Sequence, residues 1–591
     1  MLMKHFNLTV VLAALLLVVS CKTDPKPQQI DFKRTGNSVV VQLDADIKMI
    51  NPIIVNSSYE VQVSNQVFSY LGGYSLDGSK LTPCLLKEIP EIRDVEDSDK
   101  PGRYAVDFEM LEEASWPNGS PVTGYDYEFM MKAIFNPLVN AIRYRALFTG
   151  LFTDIEIDAE NPKKFTVYVQ EKSILTVDNL VNALPLIPTY VSDPEGKLKE
   201  VDLADLLDDE KAEALAASSQ VLQDFAELYN STAFQKQIAN IVGSGPYSVV
   251  DWVDGQRITL QRKSDWWGDK ISKETHPLLQ AFPDEIVFKP ISDPNTAIAA
   301  LKAEEIDAMS RIPAAEFEAL QKDSITGPRY DLETVNSFSW FFISINSTNP
   351  KLEDKRVRKA LAYAFDVDEV LEKVFLGYGT RVASPVHPTQ SYYNNDLELI
   401  DQNFDKAKAL LTEAGWEDTN NNGIVDKEIE GEQVELSLEY IASPRETSKN
   451  IALIFKDQAK QVGIDLEILQ LPGTPYFGRW RSKDYELVSG GYSITELWNP
   501  RQNWHSQGDN RTGFGNAETD AMIDKILATF DDEERNQLYN ELQAIMADEQ
   551  PVIFLFAPKT TVAVHERFEW TPMVYNPCFD PRFFKLKESF Q

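Results

Sequence analysis

The chain has only 3 cysteines in 591 residues. That excludes a disulfide-dense scaffold, and no CxxC pair suggests a zinc ribbon or a thiol redox centre. Histidine is almost as scarce, with 5 in all. Past the N-terminus, His276, His387, His505 and His565 stand far apart and no HExxH occurs, so a histidine-based zinc site has no support. There is no G-x-S-x-G elbow for a serine hydrolase. Positive charge is also in deficit. Lys and Arg number 57 against 92 Asp and Glu, a formal charge of −35. Such a surface repels phosphate backbones, which excludes nucleic acid as a partner. Gly73 to Lys80, GYSLDGSK, has some residues of a phosphate loop. Its lysine follows the serine, however, and the segment reads as a turn between strands. No cofactor is expected.

What is present starts at the N-terminus. Lys4 and His5 precede a run from Leu8 to Val19 that is apolar except for Thr9. A bilayer span needs roughly 20 apolar residues, so this run reads as a secretion signal, and no later stretch reaches spanning length. Val18-Val19-Ser20-Cys21 resembles a bacterial lipobox, which implies cleavage before Cys21 and lipidation of that cysteine. Residues 1–20 are thus expected to be the signal peptide, and 21–35 a lipidated polar tether with two prolines. Cys84 and Cys578 are expected either to pair or to be buried and free.

An apolar content of 43% suits substantial cores, and the length suits several domains. Val39 to Leu43, Arg103 to Leu111, Lys164 to Val169, Phe338 to Ile345, Val434 to Tyr440, Ile464 to Leu469 and Val552 to Phe556 read as strands. Asp77-Gly78 reads as a hairpin turn. Asp126 to Ile134, Pro294 to Leu301, Asp354 to Ala364, Asp405 to Ala414, Thr447 to Gln461 and Glu533 to Ala547 read as helices. Residues 199–230 read as an acidic, alanine-rich helical run at a domain edge. The irregular alternation predicts an α/β fold with large open sheets.

One segment is metal-like. Asp418, Asn420, Asn422 and Asp426 occupy positions 1, 3, 5 and 9 of an EF-hand-type loop, with Gly423 at position 6. Position 12 is Ile429, where a bidentate glutamate belongs, and the same spacing also makes a tight polar turn. Calcium and the turn both stay open. Paired carboxylates in so acidic a chain likewise keep a secreted hydrolase open as a class.

Several blocks carry a resemblance. They are Met49-Ile50-Asn51-Pro52, then Trp116-Pro117-Asn118-Gly119-Ser120-Pro121-Val122-Thr123, then Gly243-Ser244-Gly245-Pro246-Tyr247 followed by Trp252 and Trp266-Trp267. Ala299-Ala300-Leu301 with Glu305-Ile306-Asp307, Arg356 to Leu361, and Leu410 to Trp416 complete the series. In this order they resemble the family 5 extracellular solute-binding proteins, receptors of peptide and nickel ABC importers.

The resemblance implies a two-lobed, periplasmic-binding-protein-like α/β fold (type II, cluster C) with an extra domain on the first lobe. Lobe 1 would combine residues 36–78, 230–338 and 553–591. The extra domain would be 79–229 and lobe 2 would be 339–552. The implied protein is a monomeric, lipid-anchored receptor on the periplasmic side of the cell envelope. It would capture a small solute, foremost an oligopeptide, and hand it to an ABC permease. The alternatives are a glycan fragment or a metal chelate.

Peptide-binding members place an aspartate in lobe 2 against the ligand ammonium. The matching stretch here runs from Gly491 to Pro500, with Thr495 at that place and Glu496 beside it. Glu496 is expected to pair with the amine. Tyr492, Trp498, Asn499, Arg501 and Trp504 are expected around it, with Arg501 gripping a carboxylate, and Trp340 and Phe342 on a strand bordering the cleft. Trp252 and Trp267 are expected in the core, and Gly243 and Gly245 in a tight turn.

Overall fold

The structure, a computed structural model, describes residues 36–590 apart from 56, 97–99 and 101. The signal peptide, Cys21 and the tether lie outside the described residues.

The apolar run at Val39–Val41 forms the strand Ser38–Leu43, buried along its whole length. It pairs in parallel with Glu285–Pro290 on one side and with Ala308–Ser310 on the other. A strand with parallel neighbours on both edges is covered on both faces, so it reads as continuous apolar sequence. Its residues divide with period 2. Val39 and Val41 enter one core, and Val40 enters another with Ala297, Leu301 and Phe317. Beyond Glu285–Pro290 the sheet continues antiparallel through Arg257–Arg262 and Tyr247–Val253.

One 14-residue strand, Val552–His565, joins the two halves of the molecule. Its last residues pair with Ala308–Ser310 and Tyr330–Asn336. Its first residues pair with Ser339–Ile345 and Gly379–Arg381. From Ser339–Ile345 the sheet runs on through Leu487–Ser493, Ser437–Ala442 and Asp465–Gln470. Tyr330–Asn336 and Ser339–Ile345 therefore cross between the halves side by side with Val552–His565, interrupted only at Ser337-Phe338. The boundary drawn at 552/553 falls at the start of this crossing strand. The far half is again covered on both faces. Trp340 and Phe342 enter one core, and Ile343 and Ile345 another.

Between the first strands and Tyr247 the chain builds a four-stranded antiparallel sheet from Ile92–Asp94, Tyr104–Glu109, Lys164–Val169 and Phe152–Ile157. Phe108, Tyr127 and Phe165 from this segment share one core with Val39, Tyr247 and Trp267. The run at 199–230 is not continuous. It splits into Leu203–Leu207, Asp209–Ser218 and Gln220–Asn230, because the Asp208 and Ser219 side chains accept the Lys211 and Leu222 N–H groups and cap the next helix. The stretch Val434 to Tyr440 also splits. Glu432–Glu435 forms a hairpin with Asp426–Ile429, and Ser437–Ala442 enters the main sheet.

Gly243 and Gly245 serve close packing rather than a turn. A Cβ on Gly243 would lie 2.1 Å from the Val67 carbonyl oxygen, and one on Gly245 would lie 2.7 Å from it. The Trp266 and Trp267 indoles both donate to the Ser244 carbonyl, at 2.9 and 2.8 Å, and tie this loop to the core. Trp252 is only partly buried, beneath the Lys236 ammonium at 5.4 Å. Among the described residues, no helix is long and apolar enough to cross a membrane.

Candidate functional site

The crossing strands end in a stitched floor. The Phe338 N–H donates to the Val574 carbonyl at 3.0 Å, and its carbonyl accepts the Ile494 N–H at 2.7 Å. Ile494 opens the loop that carries Thr495 and Glu496. Gln390, buried, holds that loop by donating to the Thr495 carbonyl at 2.9 Å. The Thr495 hydroxyl donates to the Leu497 carbonyl at 2.7 Å, so it is spent within the loop.

Glu496 is half-buried, and burial raises its carboxyl above the usual range. Tyr74, Tyr575 and Asp77 from the first half act on it or feel its charge. Asp178, on the helix Ile174–Asn182, joins the group against Tyr74. Burial raises its carboxyl as well.

A cavity of about 510 Å³ opens beside this junction. Its walls come from the helix Ser58–Val67 (Gln62, Asn65), the segment Tyr70–Tyr74, the inserted domain (Arg143, Asn182) and the C-terminal segment from Tyr575 to Phe583. Thr495 reaches it from the far half. Such a volume suits a small organic solute held by a few polar groups. Cys84 is on its wall, and Cys578 is buried nearby in sequence to Tyr575. Both are free thiols, and burial pushes each up to about 11.

Of the residues expected around a ligand, none of Glu496, Tyr492, Trp498, Asn499, Arg501, Trp504, Trp340 and Phe342 is on the wall of this cavity. Trp498 is in the core, its ring 5.5 Å from Tyr539 and its carbonyl accepting the Tyr539 hydroxyl at 2.6 Å. Trp504 packs edge-on against Phe514. Arg501 pairs with Asp524 at 2.9 Å, so its guanidinium is already engaged. Asn499 accepts the Arg501 N–H at 3.0 Å and starts a short helix. Trp340 and Phe342 are sealed in an aromatic group with Tyr492, Trp480 and Phe554. Within it the indole N–H of Trp340 has no hydrogen-bond partner among the described residues. Tyr74, Arg143, Asp178 and Tyr575 were not singled out from sequence. The only local signal was the turn at Asp77-Gly78, next to Tyr74.

The loop from Asp418 to Asp426 spends its oxygens on itself. Asp418 accepts the Asn422 and Gly423 N–H groups at 3.1 and 2.9 Å. Asn420 accepts the Asn422 N–H at 3.0 Å, and Asn422 accepts that of Ile424 at 2.9 Å. Asp426 takes the Thr419 N–H at 3.0 Å. This is a hydrogen-bonded polar turn, with Asn421 and Gly423 in the left-handed region. Among the described residues, no group of three His, Cys, Asp or Glu side chains is arranged to hold a metal ion.

Residues 101–514 match the family described as bacterial extracellular solute-binding proteins, family 5, middle region. The oligopeptide-binding protein AppA of Bacillus subtilis (strain 168) is 27% identical over 336 residues, 56% of this chain and 59% of AppA. Heme-binding protein A of Haemophilus influenzae is 26% identical over 350 residues, 58% of this chain and 55% of that protein. The chain spans less than two thirds of the length of these curated relatives. The solved structure of AppA in complex with a nonapeptide has a TM-score of 0.71 at 21% identity, covering 93% of this chain and 99% of that one. NikA from Brucella suis in complex with Fe(III)-EDTA has a TM-score of 0.72 at 19% identity, covering 93% and 100%. These likenesses establish the two-lobed α/β periplasmic-binding fold. With more than half of its length matched, the chain belongs to the bacterial extracellular solute-binding proteins, family 5.

Proposed function

We propose that this protein is the lipid-anchored receptor of an ABC importer, which captures a small solute, foremost an oligopeptide, between its two lobes and presents it to a permease. The observation that carries this reading is the cavity of about 510 Å³ whose walls join both lobes and the inserted domain. A ligand touching all three would favour the closed arrangement and so signal occupancy to a partner. Glu496, half-buried with no Lys or Arg acting on it, is suited to meet a ligand amine. Membership of a family of binding proteins sets aside the secreted hydrolase. Anchoring through Cys21 would hold the receptor beside its permease at the envelope surface.

The test is ligand capture. Purified protein is mixed with a peptide library, then followed by melting temperature and by native mass spectrometry. A bound peptide at 100 times its Kd should add about 2.7 kcal/mol of stability. Glu496→Gln should weaken free-amine peptides at least about tenfold, which corresponds to about 1.4 kcal/mol. If no peptide raises the melting temperature or is retained, the peptide reading fails.

A further inference from the structure

The helix Ile174–Asn182 of the inserted domain belongs to two cores at once. Leu180 and Val181 are buried in one cluster with Val39 and Tyr247 of lobe 1, and Val177 packs against that cluster. Leu175 is buried instead in a cluster with Ile523, Ile526 and Leu527, and Ile174 packs against it. Those three residues are on the helix Ala517–Ala528 of lobe 2, and the two helices lie against each other. Every other buried residue of this second cluster falls between Trp340 and Ala557. The first turn of one helix therefore carries the inserted domain across to lobe 2.

Lys172 makes a second contact beside the first. Its ammonium is 3.4 Å from Asp94 and 5.8 Å from the centre of the Tyr104 ring, both in the inserted sheet. It is also 5.9 Å from the centre of the Phe530 ring, in lobe 2. Both rings are within the range at which an aromatic face attracts a cation. Each side of this contact is held in place. The Ser173 hydroxyl accepts the Leu175 N–H at 3.2 Å and caps the helix. Across the gap, Arg535 donates to the Thr529 and Phe530 carbonyls at 3.1 and 3.2 Å and fixes the turn that presents the ring. The inserted domain shares its core with lobe 1, so it follows lobe 1 when the angle between the lobes changes. A rotation that parts it from lobe 2 must draw Leu175 out of the lobe 2 cluster and Lys172 off the Phe530 ring. All these contacts are between protein groups, so they favour closure whatever the cavity holds.

We propose that Lys172, Ile174 and Leu175 form a clasp by which the inserted domain holds lobe 2 closed, independently of the solute. The solute then supplies only part of the free energy of closure, and the clasp sets how much of the unoccupied protein is already closed. Apparent affinity scales with that closed fraction. Truncating Leu175 to alanine removes three buried carbons from the closed form alone. That shifts the equilibrium toward the open form by more than about tenfold.

The experiment is small-angle neutron scattering of the full chain in contrast-matched detergent, on samples that native mass spectrometry shows to carry no bound solute. The parent is expected to be compact, and Leu175→Ala and Phe530→Ser are each expected to have a larger radius of gyration. Phe530 is 46% exposed, so its variant tests the clasp without threatening the fold, and a melting curve verifies that Leu175→Ala is folded. Adding Lys172→Ala to Phe530→Ser should expand the protein no further, because both changes remove the same contact. If the parent and both folded variants share one radius, the clasp falls. If only Leu175→Ala expands the protein, the Lys172 assignment falls, and if only Phe530→Ser does, the Leu175 assignment falls. No peptide enters this measurement, so its failure leaves the receptor reading standing, and a failure of peptide capture leaves the clasp standing.

Discussion

The Phe338 carbonyl accepts the Ile494 N–H at 2.7 Å, while the Phe338 N–H donates to Val574 at 3.0 Å. Phe338 is thus bonded on one side to the loop that carries Glu496 and on the other to the segment that carries Tyr575. It also sits at the interruption between the two strands that cross from one half to the other. A change in the angle between the halves must therefore be absorbed beside Thr495 and Tyr575, which are on the cavity wall, and would couple closure to the cavity.

Gly78 tests this floor. Its φ is +74°, and a Cβ there would lie 2.5 Å from Val574 Cγ2 and 3.0 Å from the Phe338 ring. Gly78→Ala should cost about 1–3 kcal/mol from strain and overlap together. Gly119, with φ +86° and nothing near its Cβ position, separates the two causes, since Gly119→Ala carries the strain alone. Urea unfolding of both variants measures this, and equal losses would show that the crowding at Gly78 is relieved elsewhere.

Asp178 gives a prediction with a definite pH sign. Burial raises its native pKa above the unfolded value, so its ionised form is penalised in the folded protein. The penalty is fully present above the raised pKa and fades as pH falls through it toward the ordinary carboxylate range. Without ligand, Asp178→Asn should raise the melting temperature at neutral pH by a few degrees, and by less and less on acidification toward about pH 4. Scanning calorimetry across that range is the check. A variant less stable than the parent at neutral pH would sink the account of an uncompensated charge.

Arg501 should be silent in binding. Its guanidinium is held by Asp524 at 2.9 Å, outside the cavity wall. Arg501→Ala should change peptide affinity by less than about twofold, and its stability cost should stay within about 1 kcal/mol, as for an exposed pair. Titration of a peptide that binds the parent decides this, and a tenfold loss would place Arg501 in the site.

Cys21→Ser should move the protein from the membrane to the soluble fraction, because lipid chains rather than a spanning helix would supply the attachment. Fractionation with mass spectrometry of the N-terminal peptide reads the outcome. Retention of the variant in the membrane would overturn the anchor.

Local regularities were legible in the sequence. Ser38–Leu43, Gly124–Phe135 and Lys355–Ala364 appear, to within two residues, where the apolar pattern predicts them, because that signal acts over a few residues. The splits at Asp208, Ser219 and Leu436 were missed, since a cap or a turn between sheets depends on where the next element packs. The loop that carries Thr495 and Glu496 was marked in the sequence by its neighbourhood in a family motif. Trp498, Trp504 and Arg501 misled, because an aromatic or a guanidinium has the same chemistry in a core, a surface pair or a cleft. Tyr539, Phe514 and Asp524 are what decided their places.

The sequence by itself determined an acidic, cysteine-poor α/β chain with a secretion signal and an ordered series of family blocks. Those properties are sums over composition or short-range patterns, and they survive without coordinates. Only the tertiary structure decided that Tyr74, Asp178, Glu496 and Tyr575 meet, that no cation acts on Asp178 or Glu496, and that Arg143 joins Tyr74 and Tyr575 on one cavity wall. The charge balance of a site depends on distance through a low-dielectric interior, and residues separated by hundreds of positions acquire that distance only when the chain has folded.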